Sequence, residues 1–189
     1  MKITKKGKML IVLYGERNAY KTTSLIKTMI AMTEIDIDSK DFTNEIKKKT
    51  KNANNTKVSY KDARFIVEYK GILIYISTAG DDWQHCNMSM KFFEGKYPRN
   101  MLVYKVSNNS IIKLSKQEFF KPENQNPDIC ICACRPTGDD YGAILAIHSY
   151  LERHSDQFGS QLWLRKDKNT TSDEQATEII DIINKLLIP

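Results

Sequence analysis

The stretch from Met9 to Leu25 (MLIVLYGERNAYKTTSL) constrains the fold more than any other part of the chain. Its first part, Met9 to Tyr14, is a continuous apolar run with the length of a buried β-strand. Gly15 then permits a tight turn, and apolar residues at helical spacing follow from Lys21 to about Thr33. The sequence therefore predicts a strand, a short loop and a helix in direct succession.

The loop between this strand and this helix has residue types that suit phosphate binding. Backbone N–H groups of such a loop, together with the positive end of the following helix dipole, enclose phosphate oxygens. A lysine at the start of the helix adds a positive charge, and a hydroxyl directly after it ligates Mg²⁺. Lys21 and Thr22 occupy these two positions. The spacing therefore favours a nucleotide phosphate site at the start of the helix.

The spacing from Gly15 to Lys21 and Thr22 follows the phosphate-binding pattern G-x-x-x-x-G-K-[ST], with Tyr20 in place of the second glycine. With its flanking strand and helix, this stretch resembles the P-loop NTPase superfamily. The resemblance is close over the strand, loop and helix, and covers the rest of the chain only in outline. The resemblance implies that Lys21 neutralises the β- and γ-phosphates and that Thr22 holds Mg²⁺. The cofactor-binding residues that it implies are Gly15, Glu16, Arg17, Asn18, Ala19, Tyr20, Lys21, Thr22 and Thr23.

Tyr20 is the main departure from that pattern. A glycine before the lysine lets the backbone pass close to phosphate, in some loops with a positive φ angle that costs a residue with a β-carbon about 1–2 kcal/mol. Either the loop is altered at Tyr20, or its ring covers a base or closes the pocket. A further alternative is a degenerate P-loop fold that no longer binds nucleotide and acts as a protein- or nucleic-acid-binding module.

A second stretch, RFIVEYKGILIYISTAGDD, predicts two strands joined by a two-residue turn. Its end resembles the D-T-A-G region of small GTPases, with Ser77 in place of the aspartate that holds the metal through water. Asp81 and Asp82 follow directly, and we expect them to hold Mg²⁺ or to orient an attacking hydroxyl or water. Asp81 is the metal candidate of the two. One alternative is that the pair caps a helix that begins near Trp83. Another is that one aspartate caps this helix while the other faces the site.

The segment from Asp128 to Arg135 (DICICACR) predicts a central parallel strand, because it is a continuous run of small apolar residues. Ligands in open α/β sheets bind at the carboxyl ends of such strands. We therefore expect Arg135 to stabilise charge on a transferred phosphoryl group; the alternative is an ion pair with Asp139 or Asp140. The alternating cysteines should share one face of the strand, as small buried residues in a reducing compartment rather than as metal ligands.

The chain of 189 residues predicts one domain over 1–189, with an insertion or lid-like excursion at about 96–127. The order of strands and helices predicts a three-layer α/β/α fold with a mostly parallel sheet and one antiparallel edge strand. Because no signal-like segment or membrane-length apolar run occurs, we expect a cytoplasmic protein with no membrane contact.

The net charge of +6 favours anionic partners. The basic segment at about 47–57 is expected to be a loop that is either solvated or in contact with a nucleic acid or protein partner.

The leading hypothesis is a Mg²⁺-dependent purine nucleotide binder that hydrolyses the γ-phosphoryl group or transfers it. ATP is favoured over GTP, because no N-K-x-D guanine motif appears and the sequence KDKN at 166–169 has a different order. The hypothesis does not separate a small-molecule kinase from a slow NTPase. Its catalytic residues are Lys21, Asp81, Asp82 and Arg135, and its metal ligands are Thr22 and Asp81.

Overall fold

The structure is a computed structural model that describes residues 7–16, 19–36, 38–48, 60–98, 101–107, 109–136 and 142–187. Over these residues the chain forms seven strands and six α-helices, with a short 3₁₀ turn at Pro122–Asn124. In chain order they are β1 (Lys8–Tyr14), α1 (Lys21–Thr33), α2 (Lys40–Glu45), β2 (Arg64–Tyr69), β3 (Ile72–Ser77), α3 (Trp83–Phe93), β4 (Val103–Ser107), β5 (Ser110–Lys113), α4 (Lys116–Phe119), β6 (Ile129–Cys134), α5 (Gly142–Arg153), β7 (Phe158–Arg165) and α6 (Ser172–Leu187).

The central sheet has the strand order β5-β4-β2-β3-β6-β1-β7. β1 runs parallel to both of its neighbours, β6 and β7, and β3 runs parallel to β6. β2 pairs antiparallel with β3, β4 pairs parallel with β2, and β5 pairs antiparallel with β4. The prediction of a mostly parallel sheet is confirmed. The sheet also has an antiparallel edge strand, because β5 lies at the edge and pairs antiparallel with β4. A second antiparallel pair, β2 with β3, lies inside the sheet and was not predicted as internal.

Helices cover both faces of this sheet. On one face, Leu25 of α1 and Ile179 of α6 share an apolar cluster with Ile11 of β1. On the other face, Met90 of α3 and Ile147 of α5 pack with the alternate strand residues. The architecture is therefore three layers, α/β/α. None of the described helices is long and apolar enough to cross a membrane.

Strand β6 is fully buried and divides its side chains between the two faces. Cys130, Cys132 and Cys134 all belong to the cluster beneath α3 and α5, which confirms that the three thiols share one face. Burial raises the pKa of the Cys130 and Cys132 thiols, so both stay uncharged and pack as small apolar residues. All four cysteines of the chain are free.

The segment predicted as an insertion, residues 96–127, contributes β4 and β5 to the sheet. Phe119 of its short helix α4 is fully buried, with its ring centroid 5.9 Å from that of Phe92. Phe92 in turn stacks on Tyr75 of β3 at 4.5 Å. This segment therefore extends both the sheet and the core on the α3/α5 face.

The carboxyl ends of β1, β3 and β6 lie at one edge of the sheet, because these strands run parallel. The chain leaves β1 for α1 on one face and leaves β6 for α5 on the opposite face. Neighbouring strands that diverge in this way open a crevice between their carboxyl ends, where ligands bind in open α/β sheets. The antiparallel pairing of β2 with β3 brings the start of β2 to the same edge.

Candidate functional site

The loop after β1 lies close to both neighbouring strands. The Gly15 N–H donates to the carbonyl of Cys134, at the end of β6, at 3.2 Å. A β-carbon at Gly15 would lie 2.5 Å from the carbonyl oxygen of Lys166, directly after β7, so only glycine permits this approach. Of the predicted loop residues, Arg17 and Asn18 lie outside the described residues.

The short turn after Gly15 leads directly into α1. The N–H of Ala19 donates to the carbonyl of Glu16 at 3.2 Å, and Ala19 is almost completely buried. Tyr20 then has φ and ψ angles of 58° and 34°, in the left-handed region. This is the conformation that glycine adopts at no steric cost and that costs other residues about 1–2 kcal/mol. The backbone therefore adopts the positive φ angle that the missing glycine would favour.

The side chain of Tyr20 is 48% exposed and lines a cavity at the carboxyl edge of the sheet. This cavity has a volume of about 330 Å³. It brings together several predicted residues with others that the sequence did not single out for the site. Its lining consists of Tyr20, Lys21, Thr22, Thr23, Lys48, Tyr60, Asp62, Thr78, Asp81 and Ala133.

Lys21 is buried at the N-terminus of α1, with 6% of its surface exposed. Its ammonium donates to the carbonyl oxygens of Gly15 at 2.8 Å and Glu16 at 3.0 Å. The pKa of Lys21 is lowered, mainly by burial. The negative charge of Asp81 acts in the opposite direction and raises this pKa, whereas the positive charge of Arg135 lowers it further. In the described part of the chain, neutral carbonyls rather than a carboxylate contact this buried charge.

Arg135 brings a second positive charge to the same region. It follows β6 directly, next to Cys134, whose carbonyl accepts from the N–H of Gly15. Gly15 also contacts Lys21, so Arg135 lies beside the same loop. Among the described residues, the buried Nε of Arg135 has no hydrogen-bond partner. The predicted alternative partners, Asp139 and Asp140, lie outside the described residues. A buried donor without an acceptor is costly. Of the four predicted catalytic residues, Lys21 and Asp81 line the cavity of about 330 Å³, whereas Arg135 and Asp82 do not.

The hydroxyl of Thr22 joins three segments of the chain. Its Oγ1 donates to Oδ1 of Asp62 at 2.9 Å and lies 3.3 Å from the carbonyl oxygen of Thr78. Thr78 Oγ1 lies 3.4 Å from the same Asp62 oxygen and accepts from the Ala63 N–H at 2.9 Å. Asp62 was not predicted from the sequence. The sequence feature that could have indicated Asp62 is the predicted β2–β3 hairpin, because a hairpin places the residues before its first strand beside those after its second strand.

Asp81 and Asp82 have different environments. Asp81 lines the cavity. Asp82 caps α3, because its carboxylate accepts from the His85 N–H at 2.8 Å and lies 2.7 Å from His85 Nδ1. The helix-cap alternative thus describes Asp82 and not Asp81. Ser77 Oγ lies 2.7 Å from Ser89 Oγ beneath α3, so Ser77 does not line the cavity.

A larger cavity, of about 630 Å³, lies between the loop after β1 and the residues after β7. Glu16 of the loop forms an ion pair with Lys168 at 2.8 Å, and this contact lowers the pKa of Glu16. Arg165 and Asp167 pair at 2.9 Å. Lys166 is buried, and burial lowers its pKa. The wall formed after β7 is therefore polar, with one ion pair inside it and a second that connects it to the loop after β1.

The basic segment at 47–57 begins at the rim of the smaller cavity. Lys47 pairs with Asp38 at 3.0 Å and forms a β-bridge with Tyr60. Lys48 is exposed and lines the cavity. Residues 49–59, which hold most of the predicted contact segment, lie outside the described residues.

Within the described ranges, no group of three or more histidine, cysteine, aspartate or glutamate side chains is arranged to hold a metal ion. The cation candidates are thus the Thr22 hydroxyl and the two carboxylates that line its cavity, Asp62 and Asp81. No family model, curated protein or solved structure matches this chain.

Proposed function

We propose that this chain binds a purine nucleoside triphosphate together with Mg²⁺ and hydrolyses its γ-phosphoryl group or transfers it to an acceptor. The observation that carries the proposal is a pair of cations beside the N-terminus of α1. Lys21 is buried there against loop carbonyls, and the nearby Arg135 has a buried Nε with no partner among the described residues. Helix N-termini favour anions through their free N–H groups and dipole. A polyphosphate at this helix end would interact with the free N–H groups and with Lys21, and Arg135 follows the neighbouring strand β6 at the same edge of the sheet.

The oxygen atoms near Thr22 fit a divalent cation. The Thr22 hydroxyl and the Asp62 and Asp81 carboxylates line one cavity, and Mg²⁺ prefers hard oxygen ligands completed by substrate phosphates and water. Thr22 and Asp81 would hold the ion, with Asp62 hydrogen-bonded to Thr22. When bound, Mg²⁺ would neutralise negative charge on the phosphates.

The protein groups would act mainly by positioning, because phosphoryl transfer requires little covalent chemistry from the protein. Lys21 neutralises charge on the β- and γ-phosphates, and Arg135 stabilises charge on the transferred group. Asp81 accepts a hydrogen bond from the attacking water or hydroxyl and so orients it. Asp82 contributes indirectly by fixing the start of α3, immediately after Asp81.

We place the base and ribose in the larger cavity. It adjoins Gly15 and Glu16 of the same loop, and its volume of about 630 Å³ is that of a small-molecule site. ATP is proposed rather than GTP, because the residues after β7 lack the N-K-x-D order. We assign the protein to the cytoplasm, since its four cysteines are free and a reducing compartment keeps them so.

The test is calorimetric titration of ATP, GTP and ADP, with and without Mg²⁺, into the wild type and Lys21→Ala. We expect ATP to bind in the presence of Mg²⁺ and Lys21→Ala to lose that binding. Lys185→Ala, which removes an equal charge from the far end of α6, is the matched control and should bind as the wild type does. Phosphate-release and acceptor assays would then distinguish hydrolysis from transfer.

Folded wild-type protein that gives no heat with any nucleotide would refute the proposal. That result would favour the competing proposal, a degenerate fold that acts as a protein- or nucleic-acid-binding module near the basic segment at 47–57. Tyr20 and Ser77 support this second proposal, because they replace two signature residues. It predicts oligonucleotide binding that weakens steeply with salt.

A further inference from the structure

We propose that Asp62 is the positioning residue for the metal-binding hydroxyl of Thr22, and that it replaces the strand-end carboxylate missing at Ser77. The inference rests on the proposed nucleotide site. Because the end of β3 carries no aspartate, another carboxylate is needed to orient the Thr22 hydroxyl.

The hydrogen bond between Thr22 and Asp62 sets the direction of the hydroxyl hydrogen. A threonine hydroxyl has one hydrogen to donate and two lone pairs. Thr22 Oγ1 donates to Asp62 Oδ1 at 2.9 Å, a shorter distance than its 3.3 Å to the carbonyl oxygen of Thr78. With the hydrogen directed at a carboxylate, the lone pairs of Oγ1 remain free for a cation. Outer hydrogen bonds of this kind orient metal ligands and raise their basicity.

Asp62 owes its position to the pairing of two strands. The Thr78 N–H donates to the Ala63 carbonyl at 3.1 Å, and the Ala63 N–H donates to Thr78 Oγ1 at 2.9 Å. Thr78 and Ala63 are both nearly fully buried. The residue before Ala63 is therefore held at the end of β3, beside the start of α1. Positioning residues are most precise when packed elements hold them in this way.

The end of β3 explains why a residue across the hairpin would take this role. Side chains alternate between the two faces of a strand. Ser77 is directed beneath α3, where its hydroxyl lies 2.7 Å from that of Ser89 and is fully buried. The next residue, Thr78, contacts Asp62 instead. A carboxylate thus reaches Thr22 from the segment before β2 rather than from the strand end.

Asp62 and Asp81 have separate roles in this proposal. Asp81 lines the same cavity as Lys21 and Thr22, and its negative charge raises the pKa of Lys21. Asp62 forms its hydrogen bond to Thr22. Asp81 would therefore contact the cation and the attacking group, whereas Asp62 would act through Thr22.

The experiment separates metal affinity from nucleotide affinity in Asp62→Ala, Asp62→Asn and the wild type. Calorimetry gives nucleotide affinity in excess EDTA, and Mg²⁺ titration of the nucleotide-loaded protein gives the metal affinity. We expect Asp62→Ala to weaken Mg²⁺ binding about 10- to 100-fold. In EDTA it should bind nucleotide as well as the wild type or more tightly, because a carboxylate near the phosphates is removed. Asp62→Asn should lose less Mg²⁺ affinity than Asp62→Ala, since its amide oxygen still accepts from Thr22.

Asp181→Ala is the matched control, because it removes an exposed carboxylate from α6 that does not line the cavity. Unchanged Mg²⁺ affinity in Asp62→Ala, or nucleotide affinity that falls equally with and without Mg²⁺, would overturn the proposal, since the latter indicates a purely structural role. Wild-type protein that binds no nucleotide would instead refute the proposed function, and this inference with it. The two failures are therefore distinguishable from one set of titrations.

Discussion

The left-handed backbone at Tyr20 makes a quantitative prediction about stability. Tyr20→Gly should be more stable than Tyr20→Ala, although both variants lose the same aromatic ring. The two differ by one β-carbon, so their comparison isolates the cost of a φ angle of 58°. A comparison of either variant with the wild type alone would mix this cost with the contacts of the ring.

The expected difference follows from two opposing terms. A residue with a β-carbon in the left-handed region costs about 1–2 kcal/mol relative to glycine. Glycine loses more backbone entropy on folding, which offsets about 0.4–1 kcal/mol of that gain. The remaining advantage of Tyr20→Gly in the free energy of unfolding is therefore roughly 1 kcal/mol. In a chain of this size, such a difference raises the melting temperature by about 2–4 °C.

Urea denaturation followed by circular dichroism, with calorimetry as a second probe, measures this difference. The other end of α1 provides a matched control, because Glu34 is also left-handed, with φ and ψ of 53° and 25°. Glu34→Gly should exceed Glu34→Ala by a similar amount. Glu34 is exposed and does not line the cavity. The control pair therefore measures the free-energy cost of the left-handed backbone at a position outside the candidate site.

Equal stability of the two Tyr20 variants, with the expected gap at Glu34, would refute the reasoning for this loop. It would mean that the loop relaxes out of the left-handed conformation once the tyrosine is removed. A gap at neither position would show instead that unfolded-state entropy cancels the steric term throughout α1.

Two further predictions concern the charged groups of the site. Asp82→Ala should lower the free energy of unfolding by about 0.5–2 kcal/mol, the usual cost of a lost N-cap, and leave ATP affinity unchanged, because Asp82 caps α3 through the His85 N–H. Asp81→Asn should do the opposite, with near-normal urea denaturation and weaker Mg²⁺-dependent ATP binding; identical behaviour of the two variants would contradict the separation of their roles. Because burial lowers the pKa of Lys21, its ammonium loses its proton at a lower pH than an ordinary lysine. ATP affinity of the wild type should therefore fall as the pH rises into the alkaline range. Calorimetry across that range measures this fall, and an affinity that stays constant would contradict the prediction.

Local sequence patterns were sufficient for the elements that form the centre of the sheet. The apolar run of β1, Gly15 and the helical spacing after Lys21 predicted the order strand, loop and helix that the structure shows. The small apolar run of β6 indicated a buried parallel strand for the same reason, since burial on both faces leaves a continuous apolar pattern. These features depend on residues close in sequence.

Features that depend on pairing between distant segments were missed. β4 pairs with β2, which is more than thirty residues earlier in the chain. Hydrophobic periodicity indicates that a segment is a strand but not which strand it pairs with. The position of Asp62 beside Thr22 likewise depends on the register of the β2–β3 hairpin. For Asp81 and Asp82, the sequence allowed both a cap and a site role. The sequence did not show which aspartate has which role. Either of two adjacent aspartates can be the N-cap until the first residue of the helix is known.

The four buried thiols also give this protein an internal set of reporters for local opening. A thiol reagent reaches a buried cysteine only when the surrounding structure opens, so the labelling rate measures the free energy of that opening. Cys86 Sγ lies 3.8 Å from the carbonyl oxygen of Gly80, next to Asp81, and Cys134 directly precedes Arg135. Cys130 lies further back along β6. A ligand that draws the loops after β3 and β6 together would protect Cys86 and Cys134 first, and the unmodified chain carries this readout without an added probe.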